Sequence, residues 1–161
     1  MNKICKSYWN HFLRDKKEEN SVTAWKFGSD SDKLADLVAR GIKTATCSAY
    51  VFYELEHEKL PQKGEYNIIL NSHDEPVCIT RTNEVAIIPM DEVSEEHAQA
   101  EGEGDCTYQY WWTVHQEFFT RELASLGQSF RKDMPLVCER FTLVDVRTQK
   151  STSLSREVND L

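Results

Sequence analysis

EYNIILNSHDEPVCITRTNEVAIIPM, residues 65 to 90, carries the clearest extended-chain signal of the sequence. Apolar runs fall at 66–70, 77–80 and 85–88, with turn-forming residues between the first two, and they predict strands and so a sheet. Helical patterns lie on both sides. Upstream, SDSDKLADLVARG offers Ser29 or Ser31 as a cap, Leu34, Leu37 and Val38 as a buried stripe, and Gly41 as a stop, which predicts a helix over 31–40. Residues 3 to 19 place Ile4, Tyr8, Phe12 and Leu13 near helical spacing and predict an amphipathic N-terminal helix. Between these helices and the strands, KTATCSAYVFYELE opens with β-branched threonines and ends with aromatics and acids, a strand followed by a helical turn. LPQKGEY is a turn through Pro61 and Gly64.

Downstream, SEEHAQAE at 94–101 reads as a short helix capped by Ser94 and broken by EGEGD. From Tyr108 a long helix is predicted. Trp111, Trp112, His115, Phe118, Phe119, Glu122, Leu123 and Leu126 follow at three- and four-residue steps, and Gly127 ends the run. MPLVCERFTLVDV is the last strand, and the tail RTQKSTSLSREVNDL is polar, read as loose or weakly docked. The pattern predicts one α+β domain whose mixed or antiparallel sheet curls toward a barrel.

A chain of 161 residues, 40% hydrophobic and 29% charged, suits one globular domain with its own core. No apolar run is long enough for a bilayer, and MNKICKSYWNHF has no signal-peptide core, so a cytoplasmic protein without a membrane partner is expected. The five cysteines are scattered and form no CxxC pair, which argues against a zinc ribbon or a disulfide framework. A net charge of −8 argues against extended duplex DNA, because a phosphate backbone is gripped by basic stripes. A small ligand or a short RNA contact fits better. Oligomeric state has no signature in the sequence.

No GxSxG, HExxH, Walker loop or GxGxxG after a strand is present. The five histidines show no ligand spacing with one another or with cysteine, so neither metal nor cofactor is expected. What remains is polar chemistry near glycines. In GIKTATCS (41–48), an extended chain puts Lys43, Ala45 and Cys47 on one face and Thr44, Thr46 and Ser48 on the other. Three hydroxyls in a row can bind a polar ligand. The plainer reading, threonines as strand formers with Lys43 toward solvent, has the stronger support from the letters alone. Glu101, Glu103 and Asp105 read as a solvated acidic loop, His115 as a hydrogen-bonded core histidine, and Trp111 and Trp112 as core with one of the pair partly exposed.

The order of the blocks W-x-FG, LADLV-x-x-GIKTATCS, YELE-x-E-x-LP-x-x-G-x-Y-x-IIL, EPVCITRT-x-EV, HAQAEGEGD, WW-x-x-H-x-x-FF and CERF resembles the larger, bacterial branch of the ASCH-domain proteins. The resemblance implies a PUA-like fold, a small β-barrel flanked by helices with the GxKxxT segment on the floor of a cleft. It implies an ASCH domain over 25–146, an N-terminal helical extension over 1–24 and a polar tail over 147–161. It also implies that the cleft binds a nucleoside or a short RNA element. By similarity to a small amidohydrolase that removes the acetyl group of N4-acetylcytidine, Lys43, Thr46 and Glu101 (His97 and Ala98 precede it as HAxxE) are the implied catalytic residues. Thr46 would be the nucleophile, Lys43 its base, and Glu101 would orient Lys43 or protonate the leaving amine. Thr44, Ser48, Trp111, Trp112 and His115 are the implied ligand contacts. Many relatives carry arginine where this chain has Ser48, which points to a small polar ligand over a phosphate chain. The alternatives are a non-catalytic RNA-binding module, a metal-independent ribonuclease, and a sensor of a small polar metabolite.

Overall fold

The computed structural model describes residues 1–16 and 21–148; the helix expected in 3–19 ends at Leu13, and residues 17–19 and most of the polar tail lie outside the described residues. Along the chain run α1 (Lys3–Leu13), β1 (Val22–Trp25), α2 (Ser31–Ala39), β2 (Ala45–Ala49), α3 (Tyr50–Glu56) and β3 (Tyr66–Leu70). They are followed by β4 (Pro76–Pro89), a 3₁₀ turn (Met90–Glu92), α4 (Glu95–Glu101), α5 (Tyr108–Ala124) and β5 (Pro135–Val146). The second and third apolar runs of the opening stretch thus form one strand of 14 residues. Nothing in TRTNE breaks an extended chain, since Thr80 and Thr82 favour it and neither glycine nor proline intervenes.

β3 and β4 are antiparallel, with Ile68 opposite Ile79. Their link is closed by Asn71, whose Oδ1 accepts hydrogen bonds from the N–H groups of His73 at 2.9 Å and Glu75 at 3.0 Å. β4 then continues beside β5 from Cys78 to Pro89, with irregularities at Ile79/Thr80 and Thr82/Glu84. Such bulges bend a strand and raise its twist, which lets one long strand serve both halves of a curled sheet. The strand order is β1-β3-β4-β5-β2; β1 pairs parallel with β3 and every other pair is antiparallel. The mixed α+β, PUA-like architecture expected from the sequence is the one observed. β1 is the element that sequence patterning leaves out, because four residues are too few to show an alternation.

Helices cover both faces of the sheet, so β3 is buried at all five positions. α1 sets Cys5, Tyr8 and Trp9 against Tyr66, Ile68 and Ile79. α2 sets Ala35 and Val38 against Phe27, Ile69, Cys78 and Phe141. In a third cluster, Trp111, Phe119 and Leu123 of α5 pack with Ala49, Met90 and Leu136. Between α2, β2, the end of α4 and α5 these cores leave the space that forms the site. Ile68 is fully buried. Ile68→Ala should lower stability by about 2–5 kcal/mol, read as a lower urea midpoint with an unchanged m-value.

Candidate functional site

At the turn from α2 into β2 the usual burial order is inverted: Ile42 is 41% exposed while Lys43 beside it is 2% exposed. Lysine is rarely buried without a partner. Here the partner is the end of α4. Lys43 Nζ lies 3.4 Å from both the main-chain oxygen and Oε1 of Glu101, and 3.6 Å from Glu103 Oε2. A cation at a helix C-terminus also meets the negative end of the helix dipole. The face of Phe27 completes the surroundings, 5.3 Å from the ammonium. The expectation that Lys43 faces solvent is therefore corrected: the charge is drawn inward by two carboxylates and a helix end.

Glu101 is as deeply buried as Lys43, and four donor groups surround its carboxylate. Lys43 and His115 Nε2, each at 3.4 Å, face Oε1. His97 Nε2 at 3.0 Å and the indole N–H of Trp111 face Oε2. The HAxxE spacing places His97 one helical turn before Glu101, on the same face of α4. Trp111 and His115 are likewise one turn apart on α5. His115 Nδ1 donates to the Trp111 carbonyl at 2.7 Å, and the two rings stack with centroids 4.7 Å apart. Burial works against the Glu101 charge, but Lys43 and the hydrogen bonds from His115 and His97 outweigh it and hold the carboxyl well below its usual range. Burial likewise opposes charge on His115, and its hydrogen bond to Glu101 reverses the balance and raises it. A carboxylate so saturated cannot deliver a proton to a leaving group. Of the two roles expected for Glu101, orienting Lys43 is the one this geometry suits.

EGEGD, read as a solvated acidic loop, is split by the structure. Glu101 is buried and Glu103 half-buried beside Lys43, while exposed Asp105 accepts a hydrogen bond from the Thr107 N–H at 3.0 Å. The two glycines make this approach sterically available. Gly102 has φ +67°, and a Cβ there would sit 2.5 Å from the Ile42 carbonyl oxygen. Gly104 has φ +58°, and a Cβ there would overlap the Tyr110 ring.

Lys43, Thr46, Cys47, Glu101, Glu103 and His115 line the inner part of a cavity of about 300 Å³. Phe27, Leu34 and Phe118 supply apolar wall, and Asp30, Lys33, Glu117 and Arg121 supply charged groups. The implied catalytic residues Lys43, Thr46 and Glu101 thus border one space. Of the implied ligand contacts only His115 joins them. Exposed Thr44 instead closes the end of α4, its N–H and hydroxyl donating to the Ala100 carbonyl at 2.8 and 3.3 Å. Ser48 pairs with the Tyr53 hydroxyl at 2.9 Å, away from the cavity. Trp111 is consumed by Glu101, and half-buried Trp112 packs near Tyr108 and Phe130. The row of three hydroxyls does not converge: Thr44 precedes β2, which begins only at Ala45, and Ser48 within β2 is engaged by Tyr53. Glu103, Phe27, Phe118 and Tyr110 were not singled out by sequence reasoning as ligand contacts. The signal for Glu103 was its place between two glycines.

The fold also gathers donors that the histidine and cysteine spacings did not pair. Cys47 Sγ, a Glu101 oxygen and a His115 nitrogen lie within 4.8 Å of one another. Burial, followed by the Glu101 charge, pushes the Cys47 thiol well above its ordinary value, so it is not a ready thiolate ligand. The Lys43 ammonium already balances the same carboxylate. The donor set suits an ion pair better than a resident metal.

A curled mixed sheet with a polar cleft against its flanking helices defines a PUA-like protein. The ASCH domain family model matches residues 23–145, and the chain belongs to that family. It is similar to the solved ASCH domain of Lactobacillus crispatus JV V101, with 35% identity, a TM-score of 0.85, and coverage of 90% of this chain and 96% of the other. A solved protein of Enterococcus faecalis V583 is 40% identical at a TM-score of 0.81, over 92% of this chain and 97% of the other. Among curated proteins none gives a significant match. No described helix is long and apolar enough to cross a membrane.

Opposite Thr46 in the β2–β5 register stands Glu139, 8% exposed. Burial, and after it the Glu65 charge, push its carboxyl up to about 7 from an ordinary 4.5. A carboxyl raised on folding costs the fold nothing below its unfolded value; the cost grows as the pH rises from there through the folded value and is complete above it. Glu139→Gln should therefore leave stability near wild type at pH 4 and raise it at pH 8, by up to about 3 kcal/mol in denaturant titrations.

Proposed function

We propose that the cleft binds a nucleoside or a short RNA element and hydrolyses the amide of an acylated base such as N4-acetylcytidine. The observation that carries this reading is the Lys43 ammonium, fixed by Glu101 at the floor of a cavity that Thr46 also borders. About 300 Å³ is the lower end of small-ligand pockets and suits one nucleoside-sized unit. Lys33, Lys43 and Arg121, with His115 beside them, face four carboxylates (Asp30, Glu101, Glu103, Glu117) around it, a near balance that favours a neutral ligand over a polyanion. Phe27, Phe118 and Tyr110 offer apolar surface to a planar ring.

In this reading the Thr46 hydroxyl oxygen adds to the acyl carbon. As the C–N bond breaks, the hydroxyl proton ends on the departing amine and the acyl group stays on Thr46 as an ester. Water then hydrolyses the ester, releasing acetate and restoring the hydroxyl. In place of the base role that the resemblance implied, Lys43, paired with two carboxylates, acts as hydrogen-bond donor to the oxygen that gains negative charge, and Glu101 holds it in place. Losing one such donor costs about 10²–10³ in rate. Lys43→Ala, checked for folding by circular dichroism, should therefore lose about that factor in kcat for N4-acetylcytidine deacetylation. Equal turnover by wild type and variant would sink the assigned chemistry.

A further inference from the structure

Two carboxylates flank Lys43, and they are not equivalent. Glu101 spends both oxygens on four donors and is sealed at 1% side-chain exposure. Glu103 is 16% exposed, stands 3.6 Å from Lys43 through Oε2, and lines the cavity. Among the described residues its carboxylate receives no hydrogen bond within 3.5 Å. We propose that Glu103 is the carboxylate that meets the ligand, accepting a hydrogen bond from a ligand N–H or O–H group close to the carbonyl that Lys43 meets.

This assignment rests on the nucleoside reading of the cleft and deepens it. A fixed donor and, beside it, an acceptor with lone pairs to spare recognise a ligand that offers the reverse pair, a carbonyl oxygen and a nearby donor hydrogen. A carboxylate or phosphate at that position meets Glu103 with like charge and no proton to share. Glu103 is thus a specificity-determining residue, while Glu101 is a positioning residue that acts through Lys43. The glycines on either side of Glu103 set where its carboxylate points. With φ of +67° and +58° and no room for a Cβ at either position, the loop holds one course between Ile42 and Tyr110.

The test compares wild type, Glu101→Gln, Glu103→Gln and Glu103→Ala by thermal unfolding without ligand and by calorimetric binding of N4-acetylcytidine. Breaking the buried network at Glu101 should lower Tm by about 6 °C or more, or prevent folding, whereas Glu103→Gln should stay within about 2 °C of wild type. Glu103→Ala should weaken N4-acetylcytidine binding about tenfold or more, the loss expected for a charge-assisted hydrogen bond. A Glu103→Gln Tm as low as that of Glu101→Gln would make Glu103 a structural residue and overturn the assignment without reference to any ligand. Wild-type binding matched by Glu103→Ala would overturn it through the ligand. No binding by wild type itself would overturn the nucleoside reading, and with it the ligand given to Glu103, a failure told apart because it appears before any substitution.

Discussion

Taking a lysine and a glutamate out of water together is the constraint on which the rest of this site depends. At 3.4 Å their attraction is about 5 kcal/mol for an effective dielectric constant of about 20, while each desolvated ion loses several kcal/mol of hydration. The pair alone comes close to cancelling. What tips the balance is the set of further donors on Glu101: His97 from its own helix, and Trp111 and His115 from α5. The carboxylate thereby joins α4, α5 and the start of β2 at one point.

Several local features read as consequences of that junction. α4 stops at Glu101 with Gly102 in the left-handed region, and the freed end of the helix is closed by Lys43 Nζ on the Glu101 carbonyl and by Thr44 on the Ala100 carbonyl. A seven-residue helix has little stability of its own, so these contacts and its packing on α5 must supply it. α5 carries more than packing: its Trp111 and His115 point one turn apart toward the same carboxylate, and its next turns furnish Phe118 and Arg121 to the cavity. The positioning shell and the ligand wall thus share one rigid element, which holds the cleft to a narrow geometry.

The sheet was legible because its signal is local. Isoleucine runs and a turn of Asn, Ser, His and Asp identify β3 and β4 without any tertiary knowledge; Ser94 marks a helix start by its capping side chain, and Gly41 and Gly127 mark helix ends by their backbone freedom. β1 was hidden because a four-residue parallel edge strand takes its identity from β3, not from its own pattern. At the site the local rules misled in an informative way. Lysine next to isoleucine predicts the lysine outside, and EGEGD predicts solvent. Each is reversed because a charge 58 residues away provides what water otherwise would. Family likeness singled out Lys43, Thr46 and Glu101, whose lining of one cavity is a property of the fold. It could not rank Glu101 against Glu103, because that difference lies in how many donors each carboxylate meets. Nor could it place Ser48, which the Tyr53 hydroxyl engages outside the cavity.

The central claim is that Lys43 and Glu101 depend on each other as a buried pair. A double-mutant cycle with Lys43→Met and Glu101→Gln, followed by urea unfolding at pH 7, measures this directly. The account predicts that the double variant is less destabilised than the sum of the two singles by about 2 kcal/mol or more, because removing both charges leaves neither stranded. Additivity of the two substitutions to within about 0.5 kcal/mol would contradict it.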